Sequence, residues 1–304
     1  MTAPIPDLDR TVNFTIPGRH ARGRIARLGP VLNQILSAHA YPPPIERVMA
    51  EALTLTALLG STLKDAGGQL TLQAQTPKDS GGGIVSLLVC DYKAGELRGY
   101  LQFDAERLAE LGDSPSLYAL FHKGYLAMTF DLATTGERYQ GIVPLDGESI
   151  AQAAEAYFDQ SEQIPTLVRL GMAHDADGNC VGGGLFLQHL PEGEAGGERL
   201  HVRETHPEWE HVEALGATIS EAELGDTALP LEDLVWRLFN EEPEVRVQGD
   251  VSLVRGCRCD AAYIGSVLAK FSPEDRAEMA EDGVITVDCA FCARKFPVSL
   301  DEAA

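Results

Sequence analysis

Four of the six cysteines in this 304-residue chain fall in its last fifty residues, as two tight pairs. Cys257 and Cys259 form a C-x-C within "VRGCRCDAAY". Cys289 and Cys292 form a C-x-x-C within "VDCAFCARKF", with 29 residues between the pairs. No other feature restricts the fold so strongly. The segment 245–304 is too short and too polar to build a substantial core, so it needs a staple. Four thiolates around one ion supply one, and zinc is the metal that such spacing favours. Binding at small zinc sites is folding free energy, on the order of 10–16 kcal/mol at neutral pH. Iron–sulfur ligation and a metal-free dithiol pair stay open as alternatives. A Zn(Cys)4 centre carries a formal charge of about −2. Arg255, Arg258, Arg294 and Lys295 flank the cysteines, and cationic neighbours favour thiolates.

The rest of the chain reads as an α+β core, residues 1–191. "YPPPIERVMAEALTLTALLGSTLK" opens on prolines, which suit a helix start. Ile45, Val48, Met49, Ala52, Leu53, Leu55, Leu59 and Leu63 then recur near helical spacing. "GGQLTLQAQ" alternates Leu70, Leu72 and Ala74 against polar residues and predicts a strand. "GGGIVSLLVCDY", "LRGYLQF", "YLAMTF" and "RYQGIVPL" continue the strand pattern. "GESIAQAAEAYFDQSEQ" predicts a helix, and "TLVRLGMA" and "GGGLFLQHL" predict two closing strands near residue 190. The glycine runs in "DSGGGIV" and "VGGGLFL" lack the Lys-Ser/Thr of a phosphate-binding loop and read as turn glycines. Cys90 ends an apolar strand and is expected to be buried. Cys180, in the turn-like "DADGNCVGGG", is expected to be exposed.

Residues 192–244 change character. They hold fifteen acidic and three basic side chains, so their own charge opposes compaction and predicts a weakly folding helical linker. An apolar stripe runs through it nonetheless. Val212, Leu215 and Ile219 suit one helix face. Leu231, Leu234, Val235, Leu238 and Phe239, with Trp236 among them, form a second. In 245–304, "VRVQGDVSLV" is strand-like, "DAAYIGSVLAKF" suits a helix, and Ser272, Pro273 and Asp275 resemble a capping box. "GVITVDCAFC" predicts a strand running into a turn.

The formal net charge of −22 repels nucleic acid backbones and anionic membranes. No apolar run has the length of a membrane span, and "MTAPIPDLDRTVNFTIPGRHARGR" lacks the apolar stretch of a secretory signal. A cytoplasmic protein is expected, where paired cysteines point to metal or redox chemistry rather than structural disulfides. His201, His206 and His211 recur every five residues, a spacing that shares no helix face. "HDADGN" is half a calcium loop without the later Glu. There is no G-x-S-x-G or H-E-x-x-H, and nothing demands an enzyme.

The full layout resembles the 33-kDa chaperonin family of bacterial redox-regulated heat-shock holdases. "YPPPIERVMAEALTLTALL", "GERYQGIVPLDGESIAQAAEAYF", "QSEQIPT", "GGGLFLQHLP", "LVWRLFNEE", "CRC" and "EDGVITVDCAFC" carry the resemblance over nearly the whole chain. It implies one zinc held by Cys257, Cys259, Cys289 and Cys292 in an idle, reduced state. It implies disulfides Cys257–Cys259 and Cys289–Cys292 on oxidation, with zinc release and unfolding of the module and linker. It further implies ATP-independent holding of unfolded client proteins, by a homodimer. Cys90 and Cys180 match no motif of that family. Read from the residues alone, two other functions stay open: a zinc ribbon that docks a constitutive partner, and a thiol–disulfide oxidoreductase using Cys289 and Cys292. The second lacks a thioredoxin-like setting around its C-x-x-C.

Overall fold

The computed structural model describes residues 8–63, 67–77, 82–112, 114–145, 147–190 and 207–300. An N-terminal hairpin, β1 (Arg10–Ile16) and β2 (Ala21–Leu28), adds two strands beyond those predicted from pattern. Short helix α1 (Pro30–Leu36) leads into α2 (Pro43–Gly60). Thirteen of the eighteen α2 residues are buried. A helix apolar on all sides has to sit inside the protein, and α2 packs between two sheets. Its two interior threonines stay satisfied: Thr54 and Thr56 donate to the Ala50 and Ala52 carbonyls at 2.8 and 2.7 Å.

The strands predicted between residues 69 and 144 all form. They are β3 (Gln69–Gln75), β4 (Val85–Lys93), β5 (Glu96–Phe103), β6 (Tyr125–Asp131) and β7 (Arg138–Pro144), with short helices α3 (Ala105–Ala109) and α4 (Leu117–Phe121) between β5 and β6. Leu70, Leu72 and Ala74 face inward as their alternation requires, all fully buried. The helix predicted from residue 147 onward forms as α5 (Ile150–Tyr157), capped by Ser149, and ends in a π turn over Phe158–Glu162. Strands β8 (Thr166–His174) and β9 (Cys180–His189) follow.

β9 corrects two expectations. Gly182, Gly183 and Gly184 are not turn glycines but the centre of a strand buried along its whole length. α2 packs on one face of this strand and the linker on the other. A Cβ on Gly183 would run into the Leu224 backbone, and one on Gly184 into Leu58 and Thr54. Glycine here makes room on both faces of the sheet. Cys180 opens the same strand and is buried, 2% exposed, rather than displayed on a turn. Cys90 is buried, as predicted.

Over its described residues the linker forms three helices, α6 (Pro207–Gly216), α7 (Glu221–Gly225) and α8 (Leu231–Phe239). Trp209, Val212, Leu224, Leu231, Leu234, Val235 and Phe239 bury themselves against Val12, Phe14, Ile16, Ile25, Leu185 and Leu187. Trp236 points outward at 59% exposure. The acidic charge that predicts weak folding meets basic partners on the core. Arg10 pairs with Glu232 at 2.6 Å, Arg47 with Glu221 at 2.7 Å and Arg19 with Glu242 at 2.9 Å. Fully buried Arg27 donates to the carbonyls of Leu224 and Leu229 at 2.9 and 2.8 Å.

The strand predicted at the head of the C-terminal module belongs to the core instead. β10 (Arg246–Ser252) pairs with β1, and the two residues of β11 (Val254–Arg255) pair in parallel with β5. The five-stranded sheet therefore runs β10-β1-β2-β9-β8 and the six-stranded sheet β11-β5-β4-β3-β6-β7. Leu253 between the two strands is buried in the main core. An exposed edge of β1 and of β5 each recruits the passing chain, because unpaired backbone groups there need partners. Helices α9 (Ala261–Leu268) and α10 (Pro273–Met279) and the hairpin of β12 (Val284–Asp288) and β13 (Lys295–Ser299) complete the chain. The predicted capping box is present, with Asp275 N–H donating to Ser272 Oγ at 3.1 Å. No described helix is long and apolar enough to cross a membrane.

The buried Glu242 carboxylate accepts from Arg19 and from His211 Nε2 at 2.9 Å. The Arg19 hydrogen bond holds its carboxyl below the ordinary value of 4.5. A group depressed in the folded state stabilises above its unfolded pKa, and that contribution is lost as pH falls through the folded value. Glu242→Gln should therefore destabilise the linker layer at pH 7 by about 1–3 kcal/mol, read as faster proteolysis of 207–244. The gap between variant and parent should close progressively as pH drops below 4.5.

Candidate metal centre

The first cysteine pair is placed by the core. Gly256 donates its N–H to Leu97 O at 2.8 Å, continuing the β11–β5 pairing right up to Cys257. Asp260 then caps α9 by accepting from Ala262 N–H at 2.7 Å, which ends the C-x-C segment in a fixed direction. The second pair sits in the turn between β12 and β13. Cys289 donates to Arg294 O at 2.9 Å, and Ala293 donates back to Cys289 O at 2.8 Å. Ala293 adopts a left-handed φ of 55°, a conformation that costs a non-glycine residue on the order of 1–2 kcal/mol and closes the turn tightly. Beneath the turn the module buries little: Leu268, Ile285 and Val298, with Ile264, Val287 and Leu300 packed partly against them.

These two frames bring the four predicted sulfurs together, all within 4.8 Å of one another. Cys257 Sγ lies 3.3 Å from Cys259 Sγ and 3.6 Å from Cys289 Sγ, and Cys259 Sγ lies 3.6 Å from Cys292 Sγ. A disulfide requires about 2.05 Å. A tetrahedron of sulfurs at the usual zinc–sulfur distance of about 2.3 Å has edges of about 3.8 Å. The four thiols thus fit a tetrahedral ion.

Their ionisation fits as well. Burial, with hydrogen bonds to the neighbouring thiols, pushes Cys257 up to about 12 and raises Cys259. Burial also acts against ionisation of Cys292, yet the Arg294 backbone N–H and the three other thiols outweigh it and bring Cys292 down to about 7. A divalent ion would favour the thiolate form of all four. Of the flanking cations, Arg258 lies close enough to feel Cys257. Arg294 acts through its backbone.

The other predicted candidates lie elsewhere. Burial pushes the Cys180 thiol up to about 12 and the Cys90 thiol further, which disfavours their thiolate forms. Asp175 in "HDADGN" accepts from the N–H groups of Asp177 and Asn179 at 2.9 and 2.8 Å, a self-contained turn. His201 and His206 lie outside the described residues. His211 pairs with Glu242.

The model of the Hsp33 protein family matches residues 9–299. The chain belongs to the Hsp33 family. A 33 kDa chaperonin of Caulobacter vibrioides is 40% identical over 306 residues, covering 97% of each chain. That of Salmonella choleraesuis is 33% identical, covering 96% of this chain and 92% of its own. Among solved structures, the 33 kDa chaperonin of Thermotoga maritima superposes with a TM-score of 0.76 at 20% identity, over 97% of this chain and 96% of that one. The mixed α/β arrangement described above is thus the fold of that structure, and this chain carries its four-cysteine cluster at the C-terminal end.

Pattern reasoning missed the residues that seat the Hsp33 cysteine cluster on the core. Phe291, inside the C-x-x-C, rests on Arg98 and Tyr100 of β5, and Arg258, inside the C-x-C, reaches Gln69 of β3. No periodicity marks a contact between segments nearly two hundred residues apart. With cobalt as the probe, the protein should take up one ion per chain and show thiolate-to-cobalt charge transfer. Cys289→Ser should lose most of that absorbance and expose 257–300 to protease, whereas Cys180→Ser should keep both.

Proposed function

We propose that the protein is an ATP-independent holdase chaperone, idle when its four cysteines are reduced and metal-bound, and switched on by oxidation. The carrying observation is the placement of the cluster. Four thiols converge on a module with almost no core of its own, and that module is seated on the same core whose other sheet is covered by the apolar stripe of the linker. Residues 1–191 act as the platform, 192–244 as the releasable layer and 245–304 as the sensor, with β10 and β11 as the joint between layer and sensor.

Cys257, Cys259, Cys289 and Cys292 would hold one zinc ion, which when bound supplies the cross-link that the module lacks. Oxidation joins Cys257 to Cys259 and Cys289 to Cys292, the pairing that the resemblance to the family implies. Each disulfide forms as two metal-bound thiolates give up two electrons to one peroxide, which takes two protons from solvent and is reduced to two waters. Disulfide sulfurs are no longer thiolate ligands, so the module loses its staple and unfolds. The linker then loses its fixed end. Trp209, Val212, Leu231, Leu234, Val235 and Phe239 become available to apolar segments of unfolded proteins, and the surrounding carboxylates keep the complex soluble. The oxidised form acts as a homodimer in the cytoplasm. With a net charge of −22, it has no affinity for nucleic acid or anionic membranes.

The test is light scattering from a chemically unfolded client diluted into buffer with this protein. Peroxide-treated protein at mildly raised temperature should suppress aggregation several-fold at equimolar ratio, and the reduced, zinc-loaded protein should not. Equal activity in both states would remove the switch. No suppression in either state would leave a structural zinc ribbon.

A further inference from the structure

Each cysteine pair encloses a residue that turns away from the sulfurs and onto the core. In the second pair it is Phe291, which is absent from the module's own buried cluster. Its ring centroid lies 4.0 Å from the Arg98 guanidinium carbon and meets the Tyr100 ring edge-on at 4.9 Å and 84°. Its carbonyl accepts from His39 Nε2 at 3.4 Å. In the first pair it is Arg258, whose Nη1 donates to Gln69 Oε1 at 2.7 Å.

The two contacts are joined beneath the module by one chain of hydrogen bonds across the outer face of the six-stranded sheet. Gln69 Nε2 donates to Thr71 Oγ1 at 3.2 Å, and Thr71 donates to Asp91 Oδ1 at 2.7 Å. Asp91 Oδ2 accepts from Arg98 Nε and Nη2 at 2.8 and 2.6 Å. Asp91 is only 3% exposed, so this network is shielded and fixes the Arg98 plane on which Phe291 rests.

We infer that Arg258 and Phe291 form an autoinhibitory latch on β3 and β5, so that detaching the module, rather than losing the metal, is what releases the chaperone. The position of these residues gives the reason. Closing Cys257–Cys259 shortens their sulfur separation from 3.3 Å to about 2.05 Å, and the residue whose backbone must adjust is Arg258. Closing Cys289–Cys292 does the same to the turn that presents Phe291. The sulfurs' state is therefore read by the side chains between them. This inference rests on the holdase reading for its consequence, though not for its structural part.

The test uses the full, reduced, zinc-loaded protein with Phe291→Ala and, from the core side and remote from the cysteines, Tyr100→Ala. Three quantities are read: zinc per chain, the rate of protease cleavage within 257–300, and client aggregation without oxidant. The latch predicts one zinc per chain in both variants. It also predicts cleavage faster by roughly tenfold, the scale of a cation–π contact with an aromatic pair, and suppression of aggregation under reducing conditions. Full zinc with cleavage at the parent rate would overturn it, as would zinc loss from both variants. Should Phe291→Ala alone lose zinc, Tyr100→Ala decides by the same criteria. If oxidised parent protein fails to hold clients, the holdase reading falls, while the cleavage rates still decide whether the latch exists.

Discussion

The outer face of the five-stranded sheet is apolar, and something must cover it. Val12, Phe14, Ile16, Ile25, Leu185 and Leu187 are all buried there, and their cover is the linker. Each large apolar side chain so buried contributes on the order of 1.5–3 kcal/mol, opposed by about 1–2 kcal/mol of backbone entropy for every linker residue held in place. A thin helical layer over one sheet therefore draws on its other attachments as well. The chain order supplies them: α8 runs into β10 on one sheet, Leu253 in the core, β11 on the other sheet, and then the first cysteine.

Electrostatics decides why an acidic layer can lie flat on the protein. The core concentrates arginines where the linker lands: Arg10, Arg19 and Arg47 meet carboxylates, and Arg27 meets carbonyls at the end of α7. A buried guanidinium is costly unless its donors are satisfied. The linker backbone supplies Arg27 with acceptors at Leu224 and Leu229, so lifting the linker takes those acceptors away. The same contacts steady the acidic layer on the core.

The cysteine module is joined to this arrangement by backbone pairing at β11 and by side chains at Phe291 and Arg258. The module's own apolar cluster is small, so its order depends on the sulfurs and on the sheet beneath it. The cysteine cluster, its docking on the core and the linker cover thus follow one another along the chain, and the residues between the cysteines are the ones that touch β3 and β5.

Much of this is legible in the amino-acid order. The C-x-C and C-x-x-C spacing picks out, without a structure, the four cysteines that the fold brings together, since each pair is held close by its own short turn. The α2 pattern, the alternation at Leu70, Leu72 and Ala74, and the capping box at Ser272 are local signals, and local physics suffices to read them. The glycine run of β9 misleads because glycine serves turns and close packing alike, and only Leu224 on one side and Leu58 on the other tell which. Cys180 misleads for the same reason. The ownership of β10 and β11 is decided by which sheet edges lack partners, a property of the assembled sheets and of no single segment. The sequence by itself determined the four clustered cysteines, the apolar stripe and most strands, because spacing and periodicity are short-range. The tertiary structure alone decided what the stripe covers, which arginines answer the acidic linker, and that Phe291 and Arg258 face the core, because those contacts join residues far apart in the chain.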